Sequence, residues 1–124
     1  MHVSLERSGQ FHARNMVPTP CKCASMRTKN YSYFVRINAN DSHLSREGFV
    51  LNNEEIQTYF DRRFGKLAAS WQGISCELMA LASARELCQM LLREGIALYS
   101  VVVRIKGSNG AWIEAICNKE DVKQ

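Results

Sequence analysis

Between Phe11 and Tyr31 the chain reads FHARNMVPTPCKCASMRTKNY, a stretch whose residue types could do chemistry. His12, Cys21 and Cys23 can each offer a lone pair to a borderline metal such as zinc. A fourth ligand would have to come from His2 or His43, and one Cys-x-Cys pair specifies a site far less than two Cys-x-x-Cys pairs do. Alternatively, Lys22 and the basic Arg27-Thr28-Lys29 turn could lower the pKa of Cys23 and make it a nucleophile. The plainest reading gives His12 a backbone or solvent partner and leaves the chain without a metal or other cofactor. The five cysteines are odd in number, and Cys76, Cys88 and Cys117 fall in apolar periodic segments, so reduced thiols are expected.

A second candidate constellation is Ser75-Cys76-Glu77, at the start of a long helical pattern. A hydroxyl, free backbone N–H groups and a carboxylate at a helix N-terminus can pair with the donors and acceptors of a planar heterocycle. The same residues also describe an ordinary N-cap with an acid favoured by the helix dipole.

The elements that must position these residues follow from periodicity. YSYFVRIN (31–38) places Tyr31, Tyr33, Val35 and Ile37 on one side of a strand, with Phe34 the exception. HVSLERSGQFHAR upstream alternates as a second strand, with Gly9 marking a bulge or turn. Pro18 and Pro20 make the connection a loop. Asn52, with Glu55 three residues on, has capping-box spacing. Ile56, Tyr59, Phe60 and Phe64 then line one helical face, which Gly65 ends. A second helix runs from Ser75 to Glu94, with Leu81, Ala84, Cys88 and Leu91 buried, Glu86, Gln89 and Arg93 outside, and Gly95 as its stop. ALYSVVVRIK, with Tyr99, Val101, Val103 and Ile105 on one face, turns through GSNG into AWIEAIC, a closing hairpin.

The order strand, strand, helix, helix, strand, strand predicts an α+β fold: a four-stranded antiparallel sheet with two helices on one face. The 124 residues make one domain with one core, at about 3–117, and a frayed tail over 118–124. Such a sheet has open edges, and pairing with copies of the same chain through the edge strands, closing an oligomeric barrel, is the expected protection. No apolar window of about 18 residues exists, and MHVSLERSGQ lacks a signal peptide's apolar region, so a cytoplasmic protein without membrane contact is expected. The net charge of +4 is concentrated in residues 1–36, which hold Arg7, Arg14, Lys22, Arg27, Lys29 and Arg36 against the single acid Glu6. That bias suits an anionic small molecule. A basic nucleic-acid module is the weaker alternative, because RNP-like aromatics, a recognition helix and a zinc finger are all missing from the sequence.

In this order the motifs resemble the 6-pyruvoyl- and 6-carboxy-tetrahydropterin synthase family over roughly residues 10–117. Phe11-His12-Ala13-Arg14-Asn15-Met16-Val17 resembles the family's F-x-A-A-H-x-L, and Lys22-Cys23-Ala24-Ser25-Met26-Arg27-Thr28-Lys29-Asn30-Tyr31 resembles K-C-A-x-L-H-G-H-N-Y without a gap. Gly48-Phe49-Val50-Leu51-Asn52-Asn53 is similar to G-M-V-V-D-F, Ile74-Ser75-Cys76-Glu77 to P-T-S-E, and Trp112-Ile113-Glu114-Ala115 to W-A-E-Y. The resemblance implies the family's T-fold, whose ββααββ subunits assemble around a shared barrel. It also implies that Asn15, Arg27 and Lys29 stand where the family's three zinc-binding histidines stand. Protonated arginine and lysine have no lone pair to give and repel a divalent ion, so no metal is expected there.

Cys23 matches the family's catalytic cysteine, but the aspartate-histidine segment reads Leu67-Ala68-Ala69, and the late pterin-anchoring glutamate falls at Lys106 or Gly107. The resemblance therefore implies a T-fold homo-oligomer without the synthase reaction. Its inter-subunit cleft, formed by Ser75, Cys76, Glu77, Arg27, Lys29 and Asn30, would take a purine-like, pterin-like or anionic small molecule. An enzyme using Cys23 in altered chemistry is the second reading.

Overall fold

The computed structural model describes residues 2–17, 25–40, 52–66, 76–107 and 110–122. Strand β1 (His2–Val17) pairs antiparallel with β2 (Ser25–Asn40) in unbroken register from His2↔Asn40 to Val17↔Ser25. Alternation then sorts the side chains. Phe11 and Ala13 of β1 are buried with Tyr31, Tyr33, Val35, Ile37 and Ala39 of β2, while Glu6, Ser8, Gln10 and His12 point to solvent.

Strand β3 (Leu98–Gly107) joins β2, and β4 (Ile113–Asn118) joins β3, giving an antiparallel sheet in the order β1-β2-β3-β4. Directly opposed residues share a face, so the apolar face continues across the sheet: Phe11 beside Tyr31, Tyr33 beside Ile105, Val103 beside Ala115.

Two helices cover that face. Helix α1 (Asn53–Phe60) begins where the Asn52 side chain accepts a hydrogen bond from the Glu55 N–H at 2.8 Å, the cap expected from the sequence. Six further residues, Asp61–Lys66, continue it as a π-helical stretch that brings Phe64 into the core instead of stopping before Gly65. Helix α2 (Cys76–Arg93) buries Met79, Ala80, Ser83, Ala84, Leu87, Cys88 and Leu91. It ends at Gly95, whose φ of 81° is left-handed and whose N–H bonds the Leu92 carbonyl at 3.1 Å. Helix α1 and its extension lie on β1, and α2 lies on β3 and β4. All contribute to one buried cluster, so both helices occupy the same face of the sheet, as expected.

An aromatic stack ties this layer together. Phe60 lies 4.3 Å from Tyr33 and 5.2 Å from Phe11 between ring centroids, and Phe11 stacks on Tyr31 at 5.4 Å. Gly9 sits beside this stack, in continuous strand and not at a bulge or turn. A Cβ there would lie 2.6 Å from the Tyr33 hydroxyl and 2.8 Å from Gln57 Oε1. That hydroxyl donates to Gln57 Oε1 at 3.1 Å, and Gln57 Nε2 donates to the Gln10 carbonyl at 2.6 Å and to Asp61 at 3.1 Å.

Several expectations need correction. The register shifts between Asn38 and Ala39, so Leu98 pairs with Ala39 and enters the core while Tyr99 is exposed. Arg27-Thr28-Lys29 is part of strand β2 and not a turn. Leu81 is exposed and not in the core. The tail does not fray at 118: Asn118 ends β4, Lys119–Asp121 form a 3₁₀ turn whose Asp121 carboxylate accepts from the Asn118 N–H at 2.9 Å, and Val122 is buried. Among the described residues no helix is long and apolar enough to cross a membrane.

Phe60 is fully buried among four other aromatic rings. Phe60→Ala should therefore cost about 3–5 kcal/mol of unfolding free energy. Gly9→Ala, which displaces Tyr33 from Gln57, should cost about 1–3 kcal/mol. Urea titration measures both, and an unchanged midpoint for either variant contradicts this packing.

Candidate functional site

The β1–β2 register settles where the basic segment lies. Asn15 is the direct partner of Arg27, Ala13 is the partner of Lys29, and Lys29 is two residues along the same strand from Arg27. Three positions separated by 12 and 2 residues in the sequence therefore meet on adjacent strands. Asn30 follows, exposed and opposite the exposed His12. Cys23, Cys21, Ser75 and His43 lie outside the described residues.

Cys76 and Glu77 open α2, the first half-buried against the core and the second exposed. They sit on the β3–β4 half of the sheet, where α2 packs. Among the described residues, 25–30 of β2 pair only with β1, beyond the end of β3. Among the described residues no group of three His, Cys, Asp or Glu side chains is placed to hold a metal ion.

The helix-free face is polar and largely self-paired. Arg36 reaches Glu6 at 3.1 Å and Arg104 reaches Glu114 at 2.7 Å, while both guanidinium groups lie over Phe34, at 5.4 and 5.1 Å from its centroid. Ser4 donates to Asn38, which donates to Ser100. Lys106 lies 5.5 Å from the centre of the exposed Trp112 ring. Exposed pairs of this kind add little stability and leave the face well solvated.

The free side of β4 is different. Leu78, Leu81 and Ile116 are 51, 59 and 55% exposed and line a single groove of about 590 Å³, together with Ala82, Arg85, Cys117 and Asp121. The pattern reading missed this groove by assigning Leu81 to the core. The available signal was Leu78, three residues earlier on the same helical stripe, which made the apolar face of α2 wider than one sheet contact requires.

A second unforeseen feature fastens the helices. Glu86 accepts from the Tyr59 hydroxyl at 2.8 Å and from Arg63 Nε at 2.9 and 3.0 Å. Burial, reinforced by the Glu86 hydrogen bond, raises the Tyr59 pKa, so the hydroxyl stays a donor. Tyr59 and Arg63 of this clasp also line a second groove of about 600 Å³ between α1 and α2, together with Arg62, Met90 and Glu94. No protein-family model and no curated protein matches this chain.

Burial, and then the neighbouring Cys117, push the Cys88 thiol from 9.0 up to about 12. A folded pKa above the unfolded one contributes stability that is complete below pH 9 and is lost as pH rises toward 12. Unfolding free energy should therefore fall across that window, and Cys88→Ala should remove its share of the fall; an identical pH profile in the variant contradicts this environment. In a Cys21→Ser/Cys23→Ser variant, Cys76 should react with a disulfide reagent at pH 8 while Cys88 and Cys117 wait for unfolding. Three thiols reacting at one rate would contradict it.

Proposed function

We propose that this chain is a T-fold homo-oligomer related to the tetrahydropterin synthases, without their zinc-dependent reaction. In this reading it holds a purine-like, pterin-like or anionic small molecule between subunits. The observation that carries the reading is the convergence of Asn15, Arg27 and Lys29 in the β1–β2 register. The sequence resemblance assigns these positions to the family's three metal ligands, and a common metal site requires them to be neighbours. The strand and helix order and the sequential antiparallel sheet also agree with a T-fold.

The residues now present change the chemistry of that place. Two permanent or near-permanent cations replace imidazoles, so the position repels a divalent ion and favours an anion. Glu77 and the α2 N-terminus offer an acceptor and N–H donors to a flat polar ring. In this reading a neighbouring subunit completes the cleft. Self-association thereby becomes a condition of binding.

Restoring imidazoles tests the reading directly. The triple variant Asn15→His/Arg27→His/Lys29→His should bind one zinc per chain by equilibrium dialysis, whereas the unaltered protein should retain none after chelator treatment. Stoichiometric zinc in the unaltered protein, or no gain in the triple variant with its circular dichroism spectrum intact, overturns it.

A further inference from the structure

Helix α2 and strand β4 each bring one cysteine to the place where they pack together. Cys88 is fully buried and Cys117 is 6% exposed, both within the one core cluster. Their side chains are in hydrogen-bond contact across the helix–sheet interface, and Cys117 donates its own S–H to the Asn118 carbonyl at 3.7 Å. Sulfurs that already touch are on the approach to a disulfide, which needs their Cβ atoms close and facing. We infer that Cys88 and Cys117 are a redox pair: a hydroperoxide oxidises Cys117, and Cys88 closes on it as a disulfide that locks α2 to β4.

Access sets the order of the two cysteines. Cys117 lines the groove of about 590 Å³ beside β4, whereas Cys88 is not part of its lining and has no exposed surface. A hydroperoxide little larger than water can follow the groove to Cys117, where a bulky disulfide reagent waits for unfolding. Burial also keeps Cys88 protonated at neutral pH, so it is a poor first nucleophile and acts once its neighbour has become electrophilic.

With hydrogen peroxide as the oxidant, the Cys117 sulfur attacks one peroxide oxygen. The O–O bond breaks, an S–O bond forms, and the thiol proton leaves with the departing hydroxide as water. Sulfur has given two electrons to the peroxide and is now a sulfenic acid. The Cys88 sulfur then attacks Cys117, the S–O bond breaks, and the Cys88 proton leaves with that hydroxide as a second water. A dithiol reductant reverses the bridge by exchange. The groove feels the change through both of its walls. Leu81 and Arg85 lie on α2 seven and three residues before Cys88, and Ile116 precedes Cys117 on β4, so the bridge holds the helix wall against the strand wall.

Peroxide treatment of the folded Cys21→Ser/Cys23→Ser protein tests the pair. After quenching, unfolding and alkylation, mass spectrometry should find tryptic peptide 86–93 joined to 107–119. The urea midpoint should rise on oxidation, because the bridge restricts the unfolded chain, and should return with dithiothreitol. Cys88→Ser should leave Cys117 as a sulfenic acid that dimedone traps, and Cys88→Ala takes its place should that variant unfold. Cys117→Ser, or Cys117→Ala on the same condition, should leave Cys88 unoxidised. Unlinked peptides, a link to Cys76, or a link that forms only in urea overturns the inference. So does oxidation of Cys88 in a Cys117 variant whose circular dichroism spectrum is intact.

Discussion

The unbroken pairing of β1 with β2 is the constraint from which the rest of the molecule follows. It runs through sixteen residue pairs without a bulge. A slip of one residue would exchange the two faces of the ribbon, placing Glu6, Gln10 and His12 under the helices and Phe11 in water. Gly9 helps to fix the correct register, because only a residue without a Cβ admits the Tyr33 hydroxyl at that point. With the register set, Phe11 and Tyr33 present a flat aromatic surface, and Phe60 and Phe64 follow onto it from α1 and its π-helical extension. The same pairing aligns Asn15 with Arg27 and Lys29. Fold and candidate site thus depend on one set of backbone hydrogen bonds.

The two remaining surfaces of the sheet have opposite characters. Its open face satisfies its own charges through Glu6–Arg36 and Arg104–Glu114, so it needs water and not a cover. Its β4 edge exposes aliphatic side chains that water does not satisfy. A protein that solvates a broad face and leaves a narrow edge apolar is suited to lateral growth of the sheet. In the proposed function, the cations Arg27 and Lys29 direct the cleft toward anionic or polar planar molecules, by the same electrostatics that disfavour a divalent metal.

Much of the fold was legible because local signals agreed with the tertiary result. Asn52 caps α1, Gly95 ends α2, and odd-even alternation in β2 sorts its core. What was missed depended on contacts that periodicity does not encode. The shift at Asn38/Ala39 exchanges Leu98 for Tyr99, and only the pairing of two strands distant in sequence decides that. Leu81 has the spacing of a core residue, yet among the described residues the sheet ends at β4, so an apolar stripe became a groove wall. Val122 and the Asp121 cap order a tail whose composition resembles a frayed end. Of the candidate site, the resemblance supplied the three positions and the register supplied their adjacency. The roles of Cys23 and Ser75 rest on sequence alone.

Hydrogen exchange along the β4 edge tests the proposed self-association through edge strands most directly. Where the edge strands pair with other copies, the outward backbone N–H groups of Ile113–Asn118 are hydrogen-bonded. They should exchange slowly in concentrated protein and rapidly on dilution below the dissociation constant. Outward N–H groups of β1 should change in parallel, while those between β2 and β3 stay protected throughout. Fast, concentration-independent exchange at the β4 edge would mean that this strand meets only water, and would contradict the account.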